Sequence, residues 1–124
     1  MKPAKFEYLV PDDVEGALDL LRTHSDDAKV LAGGQSLMPL LNMRLARPKV
    51  LVDINRIAGL DYISETNDGN ISIGALTRQR LIEKSTLVKD NLPVLSTALG
   101  SVGHVQIRNR GTIGGSISHA DPAA

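Results

Sequence analysis

The chain contains no cysteine. Disulfides, thiolate nucleophiles, zinc ribbons and an iron–sulfur cluster held by the chain itself are therefore excluded. Tryptophan is also absent, and the aromatic set is Phe6, Tyr8 and Tyr62. A surface that stacks bare bases needs aromatic platforms, so this composition argues against single-stranded nucleic acid as a partner. Neither sign of charge is in excess: 14 Lys and Arg stand against 14 Asp and Glu in 124 residues. No positive field exists to draw in nucleic acid or an anionic membrane. No apolar run approaches the roughly 20 residues of a membrane helix. The opening "MKPAKFEYLV" has no long apolar stretch and no cleavage site, so no signal peptide is expected and the cytoplasm is the default. What remains is a chain of one-domain size with 42% apolar residues, enough for a core.

Periodicity gives the elements. Val14, Ala17, Leu18 and Leu21 share one helical face in "DVEGALDLLRTH", with Asp12 as the expected cap and Glu15 in the capping-box position. "AKVLA" (28–32) reads as a short buried strand, ending in Gly33–Gly34. Ser36 is the expected N-cap of a helix through "LMPLLNMRLA", with Pro39 in its first turn, Leu37, Leu40, Leu41 and Leu45 as its buried stripe, and Pro48 as its stop. "KVLVDI" (49–54) reads as a second buried strand, completing a βαβ unit. A subdomain junction is expected near 55–60, dividing the chain into 1–56 and 57–124. "YISETNDGNISIGA" predicts a hairpin around Asn67–Asn70, with Gly69 at positive φ. Thr77 is the expected cap of a helix through "RQRLIEK", and Asn91 with Pro93 opens another in "LPVLSTALGSV". "VQIRNRGTIGGSIS" reads as two short strands around a tight turn.

Two glycine pairs stand out: "LAGGQSLMPLL" (31–41) and "GTIGGSIS" (111–118). Glycine lacks the Cβ that would hold a phosphate away. It also tolerates the φ values that turn successive N–H groups into a concave anion nest. A helix N-terminus behind such a turn adds further unpaired N–H groups. Neither segment is a P-loop, since no Gly-Lys-Ser/Thr follows, and neither has the G-x-G-x-x-G spacing. Each alone is compatible with an ordinary turn. Together they make a candidate dinucleotide-type anion site, and the residues alone go no further.

"LAGGQSLMPLLNMRLARPKVLVDINRI", "ISIGALTRQ" and "HVQIRNRGTIGGSISHADPAA" resemble, in order and along the whole chain, the FAD-binding medium subunit of the molybdenum hydroxylases, a family that includes aerobic carbon-monoxide dehydrogenase and xanthine dehydrogenase. The resemblance implies an α+β fold of the FAD-binding type 2, vanillyl-alcohol-oxidase-like (PCMH-type) class: a small βαβ subdomain, then the start of a second α+β subdomain. It implies that Ala32, Gly33, Gly34, Gln35, Ser36 and Leu37 form the first diphosphate loop. It implies that Thr112, Ile113, Gly114, Gly115 and Ser116 form the second, with Ala75 and Thr77 bordering the cofactor. It further implies non-covalent FAD here, and molybdopterin and [2Fe–2S] clusters on a large and a small partner subunit. Electrons would pass through FAD to an external acceptor. Full medium subunits are more than twice as long, so the chain is expected to be a fragment or a split subunit completed by a companion chain. The alternative is a non-catalytic assembly module that retains no FAD alone.

Other polar residues have plainer readings. Ser36 can bond phosphate, cap its helix, or both. Gln35 can be solvent-facing. Arg108 and Arg110 read as surface or structural ion pairs rather than phosphate ligands. His104 and His119 lack a catalytic partner at a recognisable spacing, and His24 can favour a helix dipole. Asp121 with Pro122 reads as a turn rather than a metal ligand. No residue is expected to act as acid, base, nucleophile or metal ligand, as befits a protein whose cofactor carries the chemistry.

Overall fold

The computed structural model describes residues 1–123. They form two compact units, Met1–Ala58 and Gly59–Ala124.

The first unit is built on "KVLVDI". Its run Val50–Asp53 (β3) is apolar on both faces, and Val50, Leu51 and Val52 are all buried. A strand buried on both faces belongs at the centre of a parallel sheet. Accordingly β3 lies between β1 (Glu7–Leu9) and β2 (Ala28–Leu31), parallel to both, with Val50 level with Glu7 and Ala28. Burying Leu51 and Val52 contributes about 1.5–3 kcal/mol each. The sequence reading missed β1, which has only three residues. It also made β2 a buried strand, but β2 is an edge strand whose Val30 is 42% exposed.

Helix α1 (Val14–His24) packs on β2 and β3 through Ala17. Its cap is Asp13 rather than Asp12: the Asp13 carboxylate accepts from the Gly16 N–H at 2.7 Å. That moves Glu15 out of the capping-box position, to the second turn residue. Helix α2 (Leu37–Asn42) is shorter than its apolar pattern suggests. Arg44 turns left-handed at φ 56, and the Arg44 and Leu45 N–H groups donate back to the carbonyls of Leu41 (3.0 Å) and Leu40 (2.9 Å). This is a Schellman closure with arginine at the position glycine usually takes. It ends the helix well before Pro48 and leaves Leu45 71% exposed instead of in the stripe.

The second unit begins with the expected hairpin, β4 (Ile63–Glu65) antiparallel to β5 (Ile71–Ile73), with Gly69 at φ 82. Five short helices follow: α3 (Gln79–Lys84), α4 (Thr86–Asn91), α5 (Pro93–Gly100), α6 (Val105–Arg110) and α7 (Ile113–His119). Ile82, Val88 and Leu99 form the core, with Ile63, Ile73, Leu95, Val102 and Ile113 packed round it. The mixture is the α+β class expected. The two strands expected in "VQIRNRGTIGGSIS" are instead α6 and α7. Alternation in Val-Gln-Ile-Arg imitated a strand period, and two glycines hid the helical one.

Arg108 ties this unit together. It is 7% exposed. Its Nε donates to Glu83 Oε2 at 3.0 Å, and its Nη1 to the carbonyls of Val102 (2.8 Å) and Gly103 (3.3 Å). Arg80 donates to the same Glu83 oxygen at 3.1 Å. Burial pushes the Glu83 carboxyl up, but the bonds and charges of Arg80 and Arg108 outweigh it and hold its pKa below the usual value. A carboxylate whose folded pKa is lowered stabilises the fold at neutral pH and loses that contribution as pH falls through the folded pKa. Glu83→Gln is therefore expected to lower the urea midpoint at neutral pH. The gap from wild type should narrow as pH falls through the lowered folded pKa of Glu83, below which both side chains are uncharged. A gap independent of pH would overturn this assignment.

Candidate cofactor-binding loops

Between β2 and α2 the chain makes the first glycine turn. None of the backbone N–H groups from Ala32 to Leu37 donates to an acceptor among the described residues. Three carbonyls of the turn are held. The Ala32 carbonyl accepts from Asn55 Nδ2 at 2.9 Å. The Gly33 carbonyl accepts from Gln35 Nε2 at 3.3 Å, and the Gly34 carbonyl from the Met38 N–H at 3.0 Å. In a planar trans peptide the C=O and the next residue's N–H point in opposite directions. Fixing these three carbonyls therefore aims the N–H groups of Gly33, Gly34 and Gln35 away from the protein's own acceptors. Gly34 sits at φ 77, which side chains rarely adopt. The loop is half-buried from Ala32 to Gln35, and Ser36 is exposed.

Two expectations change here. Ser36 occupies the N-cap position of α2, but its hydroxyl makes no cap bond and it is exposed. Gln35 is not merely solvent-facing, because its amide braces the turn. Helix α2 spans only six residues, so its dipole adds little, and the feature of note is the run of open amides.

The second glycine pair behaves differently. It opens a helix, α7, whose N-cap Thr112 accepts from the Gly115 N–H at 3.1 Å. The Ile113 N–H donates to the Thr77 carbonyl (3.1 Å), Gly114 N–H to the Ala75 carbonyl (2.8 Å) and Ser116 N–H to the Thr112 carbonyl (3.1 Å). All four amides are spent internally, so the amide nest expected there is absent. The glycines have a steric cause instead. A Cβ on Gly114 would stand 2.7 Å from both the Cβ and the carbonyl oxygen of Ala75, and one on Gly115 would stand 2.8 Å from Thr112 Oγ1.

The structure thus brings Ala75, Thr77, Thr112, Ile113 and Gly114 together. Thr77 is not a helix cap. It is 1% exposed, and its hydroxyl accepts from the Tyr62 N–H and donates to the Tyr62 carbonyl, both at 3.0 Å. The position before α3 is held by Arg78, without a side-chain cap. Ser116 is half-buried and Ala75 exposed.

At the C-terminal edge of the three-stranded sheet, Asp53 ends β3. Its Oδ2 accepts from the Tyr8 hydroxyl, and its Oδ1 from Asn55 N (2.9 Å) and Nδ2 (2.7 Å). Burial raises the Asp53 pKa, yet the bonds from Tyr8 and Asn55 outweigh it and the net shift is downward. The same bond raises the Tyr8 pKa. Sequence reasoning passed over this cluster, because its members lie 45 residues apart in the chain. Elsewhere, His104 and His119 are exposed, and Asp121 accepts from the Ala123 N–H at 2.9 Å in a turn.

A family described as "FAD binding domain in molybdopterin dehydrogenase" matches residues 4–124. The chain is 57% identical, over its full length, to the alpha subunit of the 6-hydroxypseudooxynicotine dehydrogenase complex of Paenarthrobacter nicotinovorans, covering 42% of that protein. It is 44% identical, again over its full length, to the beta subunit of caffeine dehydrogenase of Pseudomonas sp. (strain CBB1), covering 42%. Among solved structures, a chain of carbon monoxide dehydrogenase from Hydrogenophaga pseudoflava superposes with a TM-score of 0.95 at 45% identity, over 98% of this chain and 42% of that one. The chain thus spans less than half the length of these relatives, and the fold it shares with them is the expected FAD-binding α+β type.

The steric account of the second pair has a direct test. Gly114→Ala is expected to destabilise the full-length protein by about 1–3 kcal/mol in the absence of any flavin, because a backbone carbonyl cannot retreat from the new methyl. Urea unfolding without added cofactor measures this. An unchanged midpoint would show that Gly114 is not fixed by packing.

Proposed function

Because the chain belongs to the family of FAD-binding domains in molybdopterin dehydrogenases, we propose that its first loop grips the FAD diphosphate. The observation that carries this is the run of unpartnered N–H groups from Ala32 to Leu37, with those of Gly33, Gly34 and Gln35 turned outward by their pinned carbonyls. A diphosphate is a paired anion with no donors to offer, which suits a surface of donors alone. Ser36 adds an exposed hydroxyl beside them. In the second unit, Thr112, Ile113, Gly114, Gly115 and Ser116, with Ala75 and Thr77, are read as further cofactor-contacting residues. There the Ser116 hydroxyl makes the contact, because the amides are already engaged and the side-chain-free faces of the glycines pack on Ala75 and Thr112. Residues 1–56 are the N-terminal FAD-binding subdomain in this reading, and 57–124 the first part of the second.

When bound, FAD supplies the redox chemistry, and the chain's residues hold and orient it. The whole protein is read as the flavin subunit of a molybdenum hydroxylase. It passes electrons from [2Fe–2S] clusters on a small subunit, fed by a molybdopterin-bearing large subunit, to an external acceptor. The subunit designations of its relatives support an assembly of several chains. Among the described residues no helix is long and apolar enough to cross a membrane. Work in the cytoplasm completes the proposal.

Gly34 is the position to test. Asp and Asn both tolerate the left-handed region better than other side chains, and each places the same Cβ 3.2 Å from Met38 Cγ and 3.4 Å from Leu31 Cδ1, so the pair differs in charge alone. Gly34→Asp is expected to weaken FAD binding to the full-length protein about a hundredfold by fluorescence titration. Gly34→Asn should lose much less, since it adds bulk without charge. Equal affinities in all three proteins would remove the diphosphate from this loop. A wild-type protein that takes up no FAD would leave the assembly-module alternative.

A further inference from the structure

We propose that Asn55 is a positioning residue for the diphosphate loop: its side-chain amide sets the direction of the Gly33 N–H without touching the cofactor. This rests on the flavin reading above. Asn55 follows β3, two residues past Asp53, and is exposed. Among the described residues it is the one side chain outside the loop that bonds a carbonyl of Ala32, Gly33 or Gly34.

The orientation of its amide is decided by chemistry. Nδ2 faces two groups that can only accept, the Ala32 carbonyl at 2.9 Å and Asp53 Oδ1 at 2.7 Å. The opposite orientation would set the amide oxygen against both. The Asp53 carboxylate also takes the Asn55 backbone N–H, at 2.9 Å, and the Tyr8 hydroxyl. Asp53 therefore stands on three donor bonds that favour its ionised form, which is the form that keeps Nδ2 in place. The result is a chain of hydrogen bonds from β1, through the end of β3, to the glycine turn. It ends on the oxygen of the peptide whose N–H belongs to Gly33. Because that peptide is planar, holding the oxygen holds the N–H.

Neighbouring braces do not duplicate it. Gln35 reaches the next carbonyl at 3.3 Å from within the loop, so it moves with the loop. The Met38 N–H fixes the Gly34 carbonyl from the helix side. Among the described residues, Asn55 alone anchors the strand side of the turn to the sheet beyond the ladder itself, where the Ile54 N–H bonds the Leu31 carbonyl at 3.1 Å.

The test uses the full-length protein with FAD and compares wild type, Asn55→Leu and Asn55→Gln. Leucine keeps the volume and removes the donor, and glutamine keeps an amide donor on a longer arm. Three quantities are read: the FAD dissociation constant, the ³¹P resonances of the bound diphosphate, and the thermal midpoint without FAD. Asn55→Leu should weaken FAD about tenfold, which corresponds to about 1.4 kcal/mol. It should also displace the ³¹P resonances while leaving the cofactor-free midpoint near wild type. Asn55→Gln should recover part of both effects. Unchanged affinity and ³¹P resonances in Asn55→Leu would overturn the proposal. So would a fall in midpoint and affinity together with wild-type ³¹P resonances in the bound fraction, because that pattern reports stability alone. Failure of wild type itself to bind FAD would instead remove the flavin reading on which this inference stands.

Discussion

The rigidity of the peptide group is the constraint on which the rest depends. A backbone N–H cannot be aimed independently of the carbonyl on the same peptide. In the first glycine turn three consecutive carbonyls are held from different directions, by Asn55, Gln35 and Met38. Their companion N–H groups are left without internal acceptors. An open amide is costly when buried and useful when it faces an anion. A half-buried turn at the C-terminal edge of a parallel sheet places these donors where a ligand can reach them, and that edge is where open α/β sheets commonly bind.

The second glycine pair uses the same residue type to another end. There the missing Cβ lets α7 approach the Ala75 backbone, and the amides close onto Ala75, Thr77 and Thr112. Gly34 answers to a φ of 77, whereas Gly114 and Gly115 answer to close approach. Buried Thr77 and Arg108 extend this tight assembly by engaging main-chain atoms of Tyr62, Val102 and Gly103. One unit thus leaves the amides of its glycine turn without internal acceptors among the described residues, and the other spends those of its glycine pair internally.

Much of this was legible in the residues. The buried run of β3, the hairpin with Gly69 and the helix opened by Pro93 followed from local period and turn chemistry. The first glycine loop followed from its place between a strand and a helix. What was not legible depends on contacts distant in sequence. Thr77 looks like a cap until Tyr62 claims its hydroxyl, 15 residues away. Ser36 looks like a cap although its hydroxyl makes no such bond. Helix α2 looks longer because Leu45 continues its stripe, and nothing in an arginine announces that Arg44 will turn left-handed and tie its Nε to the Lys2 carbonyl. Helices α6 and α7 are too short, and α7 too rich in glycine, for their period to show.

The close fit between Gly114 and Ala75 has an outcome for lineages that carry this fold. A requirement set by packing survives any change of occupation, so a descendant that had abandoned flavin would still be obliged to keep Thr-Ile-Gly-Gly. The outward amides of the first turn serve no internal bond, so the braces that aim them, Asn55 and Gln35, would be freer to drift. Erosion there, beside an intact Thr-Ile-Gly-Gly, is the mark by which such an apo descendant could be recognised.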